Sequence, residues 1–298
     1  MAFPITGNKI AVSVSGASEL LTLFGTSPTT GTVRVQKFTI NADAPEQEVT
    51  GNTAATVNSR AYILGLAEAT IEVEGLYPKI LSAATATTPR LGNSSLITYG
   101  AGSVYNVAQF SLEIEYGAID ITGMDGTAIA ARRFMPSGVV SWRGSWTSRH
   151  SSGVALTIPG ATNQTPGSGG TAATFKLTED GTDPGFTGNI IVPRGPRFSV
   201  DPRGVLVEAA YDFVGDGDLT VSAAGSTLPA LLSVGAIGPS AWDTTGDGVP
   251  DVVCTFTAYT GRTYTASCFL RNLKIDFNVG QPLKVMAALQ VSDAMVAA

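Results

Sequence analysis

The residues best suited to chemistry are few and scattered. DTTGDGVPD (243–251) sets carboxylates at the first, fifth and ninth places of a loop, Asp243, Asp247 and Asp251, with Gly248 making the turn. Calcium needs such a ring of hard oxygen ligands. Thr245 stands where another carboxylate or amide belongs, and Cys254 stands where the bidentate Glu belongs, so an Asp/Gly turn competes with a calcium site. GDGD (215–218) is shorter still and reads as a turn. His150 is the sole histidine, in SRHSSG, and without a second histidine or a cysteine cluster it does not make a zinc site. A Ser-His-Asp triad stays open on sequence alone, but nothing like G-x-S-x-G presents a nucleophile. There is no P-loop and no G-x-G-x-x-G after a strand. No catalytic centre, resident metal or cofactor is expected, and the chain reads as non-enzymatic.

Cys254 and Cys268 are the only cysteines, and they flank an expected hairpin, VVCTFTAYTGRTYTASCF, whose turn near Thr260-Gly261 brings them nearly opposite. MAFPITGNKIAVSVSG has no basic region followed by an apolar block, so no secretory signal is expected. The thiols then read as reduced, buried, small hydrophobes, with a disulfide as the alternative. The longest apolar stretch, Leu228 to Gly238, falls far short of the roughly 20 residues of a membrane span, and no membrane partner is expected. Trp142 and Trp146, four apart in WRGSW, share one strand face and read as core or subunit-interface packing. Arg132-Arg133 and Arg194/Arg197 are isolated basic points, either in interface salt bridges or solvated.

The elements that carry these residues show period two rather than 3.6. In FSLEIEYGAIDIT (110–122), Phe110, Leu112, Ile114 and Tyr116 alternate with Ser111, Glu113 and Glu115, the pattern of a half-buried strand. RFSVDPRGVLVEAAYDFVG (197–215) sets Val205, Val207, Ala209, Tyr211 and Phe213 against Glu208, Asp212 and their neighbours. KIDFNVGQPLKVMAALQVSD (274–293) repeats the pattern with Leu283, Val285, Ala287, Leu289 and Val291. Helical candidates are short: LYPKILSAATATT (76–88) and STLPALLSVGA (226–236). The fold class is therefore mainly β with one or two short helices. Residues 159–172 form a Pro/Gly/Ser/Thr loop with no apolar period.

Composition agrees. The 298 residues are 44% hydrophobic and 14% charged, against roughly 25% charged in an average soluble domain. That apolar content can bury a large core and rules out intrinsic disorder. The net charge of −6 has the wrong sign for a protein that grips nucleic acid through its phosphates.

Internal repeats say more than any motif. Against QFSLEIEYGAIDITG (109–123), KFTINADAPEQEVTG (37–51) places Phe38 on Phe110, Val49 on Ile121, Thr50 on Thr122 and Gly51 on Gly123, at a constant offset of 72. After a short gap, ATIEVEG (69–75) matches GVVSWRG (138–144). Downstream, 186–215 runs alongside 264–293, with Phe186 on Tyr264, Val207 on Val285 and Ala209-Ala210 on Ala287-Ala288. The order is front, front, back, back. Short connections favour a nested arrangement: 104–222 as one unit, inserted into another made of 1–103 plus 223–298. Ordinary tandem domains with an unrecognised divergent copy are the rival.

At these residues the chain resembles bacteriophage tail tube (major tail) proteins. Their unit opens with a long strand ending in a V/I-D-V/I-T-like tetrad, followed by an l-x-G-l turn and another strand. IDIT (119–122) matches the tetrad, while QEVT (47–50) departs from it at its first two places. YILGLAEATIEVEG (62–75) matches the turn and strand, and FMPSGVVSWRG has lost three residues there. TGNIIVPRGPRFSVDPRGVLVEAAYDFVGDGDLT (187–220) fits the closing G-x-a-x-I/V strand and f-x-G-x-G tail well, and 264–293 fits loosely. The match covers roughly two thirds of the chain.

The resemblance implies two related β-sandwich/barrel units and a structural role in a virion tail, assembled in the host cytoplasm. Such proteins form stacked rings whose inner sheets close into a β-barrel around the viral genome. A chain with two units would form a trimeric, pseudo-hexameric ring, with the tape measure protein and DNA in its lumen and tail terminator and distal tail or baseplate proteins at its ends. Closure between subunits also removes exposed strand edges. If the apolar residues of each strand pack inward, the opposite set lines the channel: Asp43, Glu48, Glu113, Glu115, Glu208, Asp212 and Asp276, with Lys274 and Lys284 as exceptions. A mostly acidic wall repels phosphates, so DNA slides without sticking; the plainer reading is solvent-facing strand residues on an acidic protein. PGSGG (166–170) is expected at a ring surface or as a merely exposed loop. A β-sandwich binding module, such as a virion decoration or carbohydrate-binding protein, is the alternative class.

Overall fold

The computed structural model describes residues 10–16, 24, 33–48, 62–64, 66–76, 96–100, 102–104, 107–123, 131–150, 170–176, 185–194, 197–200, 207–222, 250–259, 262–278 and 281–297. Their strands are β1 (Ala11–Ser15), β2 (Arg34–Asp43), β3 (Glu46–Glu48), β4 (Tyr62–Leu64), β5 (Glu68–Leu76), β6 (Leu96–Tyr99), β7 (Gly102–Val104), β8 (Val107–Asp120) and β9 (Phe134–His150). They continue with β10 (Thr171–Lys176), β11 (Gly185–Ile191), β12 (Arg197–Val200), β13 (Val207–Ser222), β14 (Val253–Tyr259), β15 (Arg262–Asn278), β16 (Lys284–Val291) and β17 (Val296–Ala297).

Nearly all of them join one large open antiparallel sheet, in the order β2-β5-β16-β15-β8-β9-β13-β11-β10-β6-β7. β14 pairs with β15 and β1, β12 pairs with β13, and β17 pairs with β15, while β3 and β4 form a separate ladder. Strands from 34–76 and 262–291 fill one half of the long path. Strands from 96–222 fill the other. The halves meet where the last residues of β15, from Asn272 to Asn278, pair with β8, Leu273 opposite Ile114 and Phe277 opposite Phe110.

Period-two sequence dictates the two faces. Phe110, Leu112, Ile114 and Tyr116 of β8 are buried, as are Trp142 and Trp146 of β9, Ala209, Tyr211 and Phe213 of β13, and Leu273, Ile275 and Phe277 of β15. Leu283, Val285, Ala287, Leu289 and Val291 are buried too, as their alternation requires. Each large apolar side chain so buried contributes about 1.5–3 kcal/mol. Aromatic rings dominate this core: Trp146 stacks on Tyr211 at 4.8 Å, Phe175 on Phe213 at 4.8 Å, and Phe110 on Phe277 at 5.1 Å. The last pair clamps the junction between the halves.

Two hairpins lie across the buried face. β14 and the first part of β15 bring Phe256 to 5.6 Å from Phe38 of β2. β10 and β11 bring Phe175 to 6.2 Å from Phe110 of β8.

GDGD (215–218) is not a turn between elements; it lies inside β13. Between Gly188 and Asn189 of β11 the register jumps from Leu219 to Asp216, so Gly217 and Asp218 form a bulge, with Gly217 at φ 81°. The bulge exists because Trp142 crowds the strand there. Its indole N–H donates to the Gly217 carbonyl at 2.9 Å, and a Cβ on Gly215 would collide with the Trp142 indole.

Residues 197–215 hold β12 and the first part of β13, which pair with each other. Cys254 faces Ala266 rather than Cys268, so the cysteines sit diagonally in the hairpin, both free and fully buried. Arg132 lies 3.5 Å from Glu68 and Arg133 lies 4.0 Å from Asp293, so neither is an isolated basic point. The expected helices at 76–88 and 226–236 fall outside the described residues, apart from Leu76, which ends β5. So do residues 243–249 of the calcium-like loop and all of 151–169.

Candidate functional site

The face opposite the core is mostly polar, and its side chains fall into rows perpendicular to the strands. One row runs Lys37, Glu74, Met286, Lys274, Glu113, Arg143 and Val214, each directly opposite the next. A neighbouring row runs Lys284, Asp276, Ser111, Ser145 and Asp212. Directly opposed side chains approach closely enough for such charge alternation to contribute about 0.2–1 kcal/mol per pair.

Glu113 sits at the centre. Its carboxylate accepts from Arg143 Nε at 2.9 Å and from Asn272 Nδ2 at 2.8 Å. The Arg143 hydrogen bond, aided by that of Asn272 and by the charges of Arg143 and Lys274, holds the Glu113 carboxyl below its ordinary 4.5 against the opposing effect of burial. Reciprocally, Glu113 raises the Arg143 guanidinium further. Ser111 and Ser145 hydroxyls pair at 3.1 Å beside them. A shallow depression of about 390 Å³ opens over this cluster, lined by Glu113, Arg143, Lys274, Asp212 and Pro193.

Other carboxylates expected on this wall are matched with cations. Arg149 Nε reaches Glu208 at 2.9 Å, Arg197 Nη2 reaches Asp212 at 2.8 Å, and Lys274 Nζ reaches Asp276 at 3.3 Å. Glu115 and Asp43 are exposed on the same face, opposite Asn272 and Glu68 respectively. Glu48 does not join them: it belongs to β3, whose ladder with β4 is separate from the main sheet, and its side chain lies outside the description. The wall is thus an interleaved lattice of both signs rather than a row of bare acids. Its cations Arg143, Arg149 and Arg197 were missed as wall residues because a sequence shows alternation but not which strand lies opposite. Glu72 and Glu74 were missed as well, although the alternation in IEVEG (71–75) already placed them on this face.

The IDIT tetrad has a local task. Thr122 N–H donates to Asp120 Oδ1 at 2.9 Å, and the Thr122 hydroxyl accepts from Arg133 N–H at 2.8 Å, so it closes the exit of β8 onto the entry of β9. Both hydrogen bonding to Thr122 and the charge of Arg132 lower the Asp120 carboxyl.

Among the described residues no cluster of His, Cys, Asp and Glu is placed to hold a metal. Only the backbone of His150 is described, at the end of β9 opposite Val207. Among the described residues no helix is long and apolar enough to cross a membrane. Neither a protein-family model nor a curated protein matches the chain.

Proposed function

We propose that this chain is the subunit of a phage tail tube: a non-enzymatic structural protein of two related sandwich units that polymerises into stacked rings around DNA. The observation that carries the reading is a strand path traversed twice. β2, β5, β16 and β15 follow one another in one half as β8, β9, β13 and β11 do in the other. The sequence repeats map onto these strands in that order, 37–51 on 109–123 and 264–293 on 186–215.

The overlying hairpins repeat too. Phe256 faces Tyr264 as Phe175 faces Phe186, and each of Phe256 and Phe175 meets the equivalent ring, Phe38 or Phe110. Pairing sets Val73 opposite Phe38 and Trp146 opposite Phe110, whereas the sequence match placed Val73 on Trp142. That slip is even, so both residues keep the core face. On this reading 104–222 is a unit inserted into one made of 1–103 and 223–298.

Two units per chain make a trimer the ring that has sixfold pseudo-symmetry, with the polar face turned to the lumen. An ion-paired wall offers DNA no continuous cationic track to grip, and its exposed acids repel phosphates. The tape measure protein and DNA occupy the channel, and terminator and distal tail proteins cap the ends of a tube within the virion. Negative-stain microscopy of the purified chain at high concentration tests this. Rings or tubes with three chains per ring are expected; monomers that persist at every concentration would overturn it.

A further inference from the structure

The sheet contains a template for a contact it does not itself complete. Inside the chain, the last residues of β15 pair on one side with β16 and on the other with β8, the first strand of the second half. β12 is the counterpart of those residues, because Arg197 and Phe198 lie opposite Ala210 and Ala209 as Asn272 and Leu273 lie opposite Ala288 and Ala287. β2 is likewise the counterpart of β8. Yet among the described residues β12 pairs with β13 alone and β2 with β5 alone, so within that set one ladder edge of each carries no strand. Phe198 marks what is missing. It is 51% exposed, whereas its counterpart Leu273, covered on both sides, is 1% exposed. Open edges of this kind recruit another strand.

We propose that β2 of one copy pairs antiparallel with β12 of the next in the register Asp43–Arg197, Ala42–Phe198, Asn41–Ser199 and Ile40–Val200, so that the junction between copies repeats the junction within the chain. The register follows from the internal one. Asn272 faces Glu115, Leu273 faces Ile114, Lys274 faces Glu113 and Ile275 faces Leu112, and each residue is replaced by its counterpart.

Charge agrees with this register: the replacement sets the cation Arg197 opposite the carboxylate of Asp43. Arg197 already holds Asp212 at 2.8 Å yet is 74% exposed, and a guanidinium has enough N–H groups to bridge a second carboxylate. Phe198 would face Ala42 at the rim of the core, losing its exposure as Leu273 does. The occupant is therefore a second copy of this chain. The proposal rests on the ring reading above but is narrower than it.

Cysteine pairing tests the register. Opposed strand residues have Cα atoms about 4.5–5.5 Å apart, within disulfide range, and both native thiols are buried. In the full chain carrying Asp43→Cys and Arg197→Cys, mild oxidation should give a ladder of covalent multimers, absent from either single variant. A control carrying Asp43→Cys and Ser199→Cys, which lie out of register, should crosslink far less. Independently, Arg197→Glu, which sets two carboxylates opposite each other, should raise the concentration needed for assembly by about fivefold, with an unchanged circular dichroism spectrum. Rings that form while the in-register pair crosslinks no better than the control would overturn the register and leave the tube standing. A wild-type chain that never forms rings would overturn both.

Discussion

The ring of Phe256 lies 5.6 Å from that of Phe38 although the two are in strands that do not pair, and this contact holds the β14–β15 hairpin onto the main sheet. Phe175 and Phe110 make the same contact at 6.2 Å in the other half. Phe256 and Phe175 are both fully buried. Phe256→Ala and Phe175→Ala should therefore each cost about 3–5 kcal/mol in urea denaturation, because each opens a cavity in a packed aromatic core. A loss below about 1 kcal/mol in either would show that the hairpins are not structural lids.

Gly215 offers a test of the bulge. Any Cβ there meets the face of the Trp142 indole, which cannot retreat because its N–H is bound to Gly217. Gly215→Ala should destabilise by about 1–3 kcal/mol and shift Trp142 emission, as overpacking forces the ring out. Unchanged emission with unchanged stability would mean that the strand absorbs the methyl group freely.

Acid should act through Glu113. Its carboxyl titrates below 4.5 in the folded chain, so its contribution to stability is complete above the unfolded value and fades as pH falls through the lowered folded one. The stability difference between wild type and Glu113→Gln should be largest near neutrality and shrink below about pH 4. A difference that stays constant down to the lowest pH at which the fold survives would argue that the Arg143 contact adds nothing.

The cysteine thiols should be silent in the folded protein. Both are buried, and the Cys268 thiol is pushed up well above its ordinary 9.0 by its hydrogen bond to Cys254 and by burial. Ellman's reagent should find no reactive thiol under native conditions and both after unfolding without reductant. Rapid native labelling would contradict the packing, and silence after unfolding would reveal a disulfide.

If the polar face lines a channel, its exposed acids keep DNA moving. Glu72→Lys and Glu115→Lys together should leave tubes assembled yet make them retain duplex DNA, with a salt dependence steepening by about 0.9 per new phosphate contact. Retention equal to that of wild type across salt concentrations would move the face off the channel.

Period two was enough to establish a mainly β chain and to sort Phe110, Leu112 and Ile114 from Glu113 and Glu115. These are properties of single strands read along the chain, where side-chain direction alternates whatever lies beside them. The tertiary structure decided what depends on neighbours. Glu113 became half of an ion pair only when β9 placed Arg143 opposite it, and GDGD became a bulge rather than a turn because Trp142, about seventy residues earlier in the chain, crowds β13 there. Pairing across a sheet is set by register and by which strands lie side by side. No local pattern encodes that Lys274 and Glu113 will face each other, or that among the described residues β2 pairs with β5 alone and β12 with β13 alone.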